Sequence, residues 1–547
     1  MIDSRDKFYF APEKIVWQRG EMENIRALLE VRQPQSYLWN SHKTVFKNTS
    51  QKCAICLDFG DEIYGGIIIV VGATSENKTS CLLIRFGESV SEAMNPHEDT
   101  HSVHNYISKI PFGSSISVGQ TGFRFVYIEL LNEIDVEIQG IYAESLCRNL
   151  PEIGQFECND ELLNRIWKIG AKTVRLCLQN YLWDGIKRDR LVWMGDIHPS
   201  LLTAHYAFGK VNLIADSMDF VRNHTPLPEW MNGISSYSLW WIISQYEWYM
   251  LYSDMSYLKL QQAYLVSLIR QLDYHIGPNN SERLPGWRFL DWPSSRDEQG
   301  LHAGLHALMI WAMQVGAHLC SVLQDRDSFN QCVSMMKRLK LHKPSLGQCK
   351  QAAALMVLAG QLCPAAANQK ILSSLPAQNI STFLGTYILE ARIAADDIDG
   401  CLDLIRQFWG GMLSLGATTF WEHFDMCWLD NAIPIDVIPK EEKADVHASC
   451  GDFCYKGYRK SLCHAWSSGP TSWLSKHVLG IKLSTPGFQM IHLAPKLGNL
   501  EFARGFIPTP YGLIKVHHRR TKKGILTEIE KPQEIQIKSI SDNIAFK

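Results

Sequence analysis

Residues 1–150 carry short apolar runs separated by turn-forming residues. The runs 66–71 (GIIIVV), 81–86 (CLLIRF) and 125–131 (FVYIELL) alternate with Gly, Asn and Ser clusters. Runs of strand length at this spacing predict a β-sandwich rather than βαβ units. The period changes near residue 159. Asn159 is a candidate helix N-cap, with Asp160 and Glu161 in the first turn, where negative charge complements the helix dipole. Leu162, Leu163, Ile166, Trp167 and Ile169 then recur at helical spacing. Further helical patterns cover 257–275, 302–324, 347–362, 381–394 and 398–409, joined by short Gly- or Pro-containing connections. So long a helical region exceeds one small bundle and fits helix hairpins stacked around an axis, an (α/α) toroid. No repeat of fixed period is visible. Near Leu483 strand patterns return at 490–493, 500–502, 512–516, 525–529 and 535–540. The turn cluster Pro508-Thr509-Pro510-Tyr511-Gly512 lies among them. The expectation is a multidomain α and β chain: an N-terminal β-sandwich at 1–150, a toroid at 151–480 and a C-terminal β-sandwich at 481–547.

Composition narrows the partners. Lys and Arg number 54 against 56 Asp and Glu, a net charge of -2. A protein that neutralises phosphates usually carries a basic surplus, so nucleic acid is not expected. No run of about 18 uncharged apolar residues suggests a membrane span. The 15 cysteines are odd in number, and the N-terminal MIDSRDKFYF has charge where a signal peptide needs an apolar run. Both point to a soluble cytoplasmic protein, with a periplasmic or secreted one left open if the N-terminus was trimmed. Oligomeric state is open, a homo-oligomer included. Tryptophan is frequent, 17 in all, and 15 of these fall between Trp167 and Trp473. Its broad apolar face builds cores, but also stacks on sugars.

Two segments concentrate candidate chemistry. Residues 183–196 read Trp-Asp-Gly-Ile-Lys-Arg-Asp-Arg-Leu-Val-Trp-Met-Gly-Asp. They hold three acids and three bases, and Gly185 and Gly195 interrupt helical regularity. The cluster suits either a catalytic loop or a salt-bridge network. Residues 416–425 read Gly-Ala-Thr-Thr-Phe-Trp-Glu-His-Phe-Asp. A Glu between aromatic residues suits either an acid–base role or a satisfied structural one.

The first segment is similar to the acidic stretch of glycoside hydrolase family 78, the inverting α-L-rhamnosidases, which are six-hairpin glycosidases. Residues 416–422, Gly-Ala-Thr-Thr-Phe-Trp-Glu, resemble a second motif of that family. Cys158-Asn159-Asp160-Glu161-Leu162-Leu163-Asn164 and Pro508–Gly512 add weaker support. The resemblance implies a central (α/α)6 toroid and release of terminal α-L-rhamnose, or a closely related deoxysugar, from a carbohydrate substrate. It implies Asp189 as general acid and Glu422 as general base. Asp184, Arg188, Trp193 and Asp196 would contact the sugar, with Trp292 and His464 as further pocket residues. The two-carboxylate reaction needs no cofactor and no metal.

Departures from the family pattern raise questions. Asp189 stands where the family has Glu, one methylene shorter, so Asp184 is an alternative acid. Ile186-Lys187 replaces Pro-Gln and Val192 replaces Gly, changes expected to bear on sugar identity. Rival readings are a non-catalytic carbohydrate-binding protein on the same fold, and another (α/α)-toroid enzyme such as a polysaccharide lyase or unsaturated glucuronyl hydrolase. Trp240 and Trp241 fit either the cavity or helix packing. Cys53-Ala54-Ile55-Cys56 and the group His447, Cys450, Cys454, Cys463 and His464 are weak metal candidates whose spacing matches no standard finger. Residues 505–508 read as a turn, and the basic run 517–523 as a solvated hairpin end.

Overall fold

A computed structural model describes residues 5–31, 43–96, 102, 104–440, 442–453, 455–541 and 544–546. Trp39 and Cys454 therefore lie outside the described residues.

The N-terminal region is a nine-stranded antiparallel sheet built on three long strands, Ala54–Thr74, Ser114–Leu130 and Val136–Cys147. Ala54–Thr74 changes partners along its length. Its first half pairs with Lys14–Arg19 and its second half with Val136–Cys147, while Ser114–Leu130 accompanies it throughout. Register shifts between Asp58 and Ile63, and between Gly65 and Ile67, mark where it bends. Such irregularities let one strand serve two layers. Within 66–71, Ile67, Ile69 and Val71 enter one core, while Ile68 on the other face is only half-buried. Cys53 and Cys56 illustrate the alternation. They are buried in separate clusters on opposite sides of the sheet, so the CxxC holds no common ligand.

The helical region closes on itself. Met194–Phe208, Ser235–Tyr252, Glu298–Val322, Lys350–Leu358, Gly385–Ala394 and Gly469–Trp473 form an inner ring, each packing on the next and the last on the first. Glu161–Cys177, Asn212–Asn223, Met255–Asp273, Arg326–Leu339, the short Pro364–Ala367 and Ile398–Ser414 lie outside it. The sequence patterns sort accordingly. Outer helices are amphipathic, whereas every residue of Met194–Phe208 is buried, which removes any polar face and hence any period. Glu298–Val322 is apolar and long enough to cross a membrane, but here it is a mostly buried inner helix. Trp240 and Trp241 are fully buried. Trp240 packs against His198, Trp311, Phe383 and Tyr387, so helix packing is its role. At the first helix Asp160, not Asn159, is the N-cap, accepting from the amides of Leu162 and Leu163. Asn159 instead accepts from the Glu501 amide, joining the helix to the C-terminal sheet.

That sheet contains Phe502–Thr509, Gly512–Thr521, Gly524–Glu530 and Ile544–Phe546, and its edge strand is Gln155–Cys158 from before the first helix. A second sheet joins Ile481–Leu483, Met490–Leu493 and Gln536–Ile540. Residues 505–508, expected as a turn, lie inside the strand Phe502–Thr509. Pairing with Gln155–Cys158 on one side and Gly512–Thr521 on the other holds them extended.

Candidate active site

The acidic segment forms the loop between Glu161–Cys177 and Met194–Phe208. It is closed by its own first acid. The Asp184 amide donates to the Leu191 carbonyl, and the Leu191 amide donates to Asp184 Oδ1 at 3.0 Å. Between these points Asp189 and Arg190 both take left-handed backbone, φ 51° and 52°. That conformation is uncommon outside glycine, though Asp tolerates it better than most. The loop thus turns sharply at the residue it presents. Asp196 follows in the first turn of Met194–Phe208.

One cavity gathers Asp184, Asp189, Trp193, Asp196, Trp292, Glu422 and His464 with Ile234, Tyr237, Trp287, Phe289, Tyr455 and Trp466. Seven of the eight residues singled out from sequence therefore line the same space. The eighth, Arg188, lies beside it. Its guanidinium donates to Glu422 Oε2 at 2.5 Å, approaches Asp189 Oδ2 at 3.2 Å and lies 4.5 Å from the Tyr455 ring centroid. Its hydrogen bonds go to the Glu422 carboxylate and, from Nε, to the Arg459 carbonyl rather than into the cavity.

Glu422 is held from every side. Its amide donates to Ser461 O, and its carbonyl accepts from Thr382 Oγ1 and Trp466 Nε1. The Ser461 amide and Arg188 both serve Oε2. Oε1 has His464 Nδ1 at 3.8 Å, beyond hydrogen-bond reach. Burial alone would raise this carboxyl, but Arg188, His464 and the Ser461 amide outweigh it and hold Glu422 below its ordinary value. Asp184 goes the other way. Burial pushes it up to about 8, with Asp196 and Asp189 adding repulsion against the opposing pull of His464 and the Leu191 amide. Asp196 is also raised by burial, although His464 Nε2 lies 3.0 Å from it. His464 overcomes its own burial through Glu422, Asp196 and Asp184 and rises to about 9. At neutral pH the pocket therefore holds an ionised Glu422, a protonated Asp184 and an imidazolium between carboxyls.

Several expectations need correction. Ile186 and Val192 are buried in the helical core, and Lys187 contacts Glu88 and Glu92 of the N-terminal region. None of the three lines the cavity, so their departures from the family pattern concern packing rather than sugar contact. Trp183 packs edge-on against Tyr64, and Trp421 is fully buried near Phe424. The Cys/His group does not converge as a ligand set among its described members. His447 Nδ1 bonds Ser89, Cys463 Sγ faces the Thr173 carbonyl and His464 bonds Asp196.

Sequence reasoning missed Tyr237, Trp287, Phe289 and Tyr455. They come from a mostly buried inner helix and two irregular segments, where no motif marks them. An aromatic cluster near Trp292 was the available signal: Trp287 lies 6.0 Å and Phe289 5.0 Å from its ring centroid.

Known proteins share this arrangement of domains. The model of the bacterial alpha-L-rhamnosidase six-hairpin glycosidase domain matches residues 151–478, and that of the bacterial alpha-L-rhamnosidase C-terminal domain matches 480–538. A curated alpha-L-rhamnosidase of Alteromonas sp. (strain LOR) is 24% identical across 90% of this chain and 56% of its own length. The structure of a family 78 rhamnosidase from Bacillus sp. GL1 superposes with a TM-score of 0.78 at 21% identity, over 95% of this chain and 56% of that one. The rhamnosidase from Klebsiella oxytoca with rhamnose bound gives 0.67 at 17% identity, over 86% and 96%. The chain spans about half the length of the Alteromonas and Bacillus relatives. Both acidic motifs, and the closed helical ring that brings them to one cavity, lie within a matched region covering more than half of the sequence, and on that ground the chain belongs to the bacterial alpha-L-rhamnosidase family of six-hairpin glycosidases.

Proposed function

We propose that this protein hydrolyses terminal α-L-rhamnosides, or glycosides of a closely related deoxysugar, with inversion at the anomeric carbon. The observation that carries the reading is the guanidinium of Arg188, which touches Asp189 and Glu422 together. A single planar group in contact with both keeps their nearest oxygens within about 8 Å, which pairs two carboxyls on one cavity as glycoside hydrolysis requires, while the inverting outcome rests on the family resemblance. In this reading Glu422, kept ionised by Arg188, takes a proton from water through Oε1, its less committed oxygen. The water oxygen attacks the anomeric carbon as the glycosidic bond breaks, and Asp189 protonates the leaving oxygen. Asp184 and Asp196 bind ring hydroxyls. Trp193, Trp292 and Trp466 supply apolar walls against the sugar's C–H faces.

A second assignment of the acid rests on one observation. Asp184 keeps its proton to about pH 8 and lines the same cavity, so it can replace Asp189 as donor. Substrate leaving-group dependence separates the two. Loss of the true acid slows poor leaving groups far more than activated aryl ones. The primary test is an aryl α-L-rhamnoside followed by proton NMR. The expected first product is the β-anomer of rhamnose. Retained configuration would overturn the mechanism, and tight binding without turnover would favour the carbohydrate-binding reading.

A further inference from the structure

Away from the cavity, three imidazoles meet where the inner helix Glu298–Val322 begins and the outer helix Arg326–Leu339 ends. Ring centroids are 5.5 Å apart for His302 and His342, 5.1 Å for His306 and His342, and 6.1 Å for His302 and His306. Their hydrogen bonds fix different roles. His306 is committed at both nitrogens. Nε2 reaches the Leu339 carbonyl at 3.0 Å, and Nδ1 receives the Glu282 amide. His302 Nδ1 lies 2.7 Å from Glu282 Oε1, and Glu282 is itself fixed by Arg288 and the Leu284 amide. A carboxylate on Nδ1 selects the tautomer with the proton there, leaving the Nε2 lone pair free. That nitrogen faces His342 Nε2 at 3.3 Å.

We propose that His302 Nε2 and His342 Nε2 form a binding site for a zinc-type divalent cation, with Glu282 orienting His302 and water completing the coordination. Two observations support it. A tetrahedral metal about 2.0–2.1 Å from each of two nitrogens separates them by about 3.3–3.4 Å, which matches the gap, whereas direct N–H donation favours about 2.9–3.0 Å. The carboxylate–histidine pairing on the far nitrogen is the arrangement that orients and strengthens imidazole ligands to metals. Imidazole pairs suit zinc, copper and nickel rather than calcium or magnesium.

The site has structural reach. It joins the start of an inner helix to the end of its outer partner. Through Glu282 and Arg288 it also fixes the segment that presents Trp287, Phe289 and Trp292 to the cavity. This inference is independent of the hydrolytic reading, since binding needs no turnover.

The test is titration of the chelator-treated full chain with Zn²⁺ by calorimetry, in a Cys363→Ser, Cys427→Ser background that removes two exposed thiols. The expected result is one equivalent bound at micromolar Zn²⁺, with a rise in thermal midpoint. His342→Phe, which keeps ring packing on His306, should weaken binding at least tenfold while leaving the metal-free midpoint near that of the parent. His342→Gln gives a second reading should the phenylalanine disturb packing. Glu282→Gln should weaken binding about 10–100-fold. No binding up to about 100 μM Zn²⁺, or binding indifferent to both His342 variants, would overturn the proposal and leave a histidine–histidine hydrogen bond.

Discussion

Glu422 and Asp184 are buried carboxyls of the same cavity, yet their surroundings drive them apart. Glu422 has Arg188 on Oε2, while Asp184 has acids nearby and one amide on Oδ1. A consequence at the residue scale is a bell-shaped kcat/KM profile. The rate should rise as Glu422 ionises below its ordinary value of 4.5 and fall as Asp184 loses its proton near 8. Glu422→Gln should cost about 10²–10⁴-fold in kcat, read with an aryl rhamnoside. Asp184→Asn separates the acid assignments: a donor role abolishes turnover of poor leaving groups at every pH, whereas a hydroxyl-binding role preserves turnover and moves the alkaline limb upward. Stability carries the same signature. A carboxyl raised in the folded state contributes stability that is fully present below its unfolded value, 3.8, and is lost as pH rises through about 8. Asp184→Asn should therefore gain on the parent in urea midpoints above pH 8. The carboxyls themselves were legible in sequence because two short motifs carry them. Their opposite protonation was not, because it depends on the burial of Asp184 and on Arg188 and His464 meeting Glu422 across the fold.

At the scale of elements, the catalytic loop is anchored by Lys187. Its ammonium sits 3.0 Å from Glu88 and 3.1 Å from Glu92, and donates to the carbonyls of Tyr458 and Lys460. The Leu462 amide also donates to Glu88. One buried cation thus fastens the loop of Asp184 and Asp189 to the N-terminal sheet and to the segment that carries Ser461 and His464. Lys187→Met should destabilise the protein by about 3–5 kcal/mol, because the glutamates remain buried without their partner. Chemical denaturation measures this, and a loss confined to activity would contradict the anchoring role. Sequence placed Lys187 in the right loop but not its partners, which lie about 95 and 270 positions away. Helices of both layers were legible: 302–324, 347–362 and 381–394 fell on inner helices, and 257–275 and 398–409 on outer ones. Met194–Phe208, buried at every residue, has no polar face to set a period.

The whole molecule depends on closure of the inner ring. Gly469 begins its last helix, and a Cβ there would meet Thr386 Oγ1 at 1.7 Å and its Cβ at 2.7 Å. Thr386 is β-branched and lies on the preceding inner helix, so it yields poorly. Gly469→Ala should cost about 1–3 kcal/mol and lower the thermal midpoint of the full chain, whereas an unchanged midpoint would show that the ring does not pack tightly at this seam. The sequence by itself determined the β–α–β order and the two acidic motifs, because strand runs, helix periods and local motifs are properties of neighbouring residues. Only the tertiary structure decided which tryptophans wall the cavity, that Arg188 joins Asp189 to Glu422, that Lys187 serves an interface, and that Gln155–Cys158 completes the C-terminal sheet. These depend on residues far apart in the chain meeting when the ring closes, and on the charge and burial each then experiences. No local pattern encodes that environment.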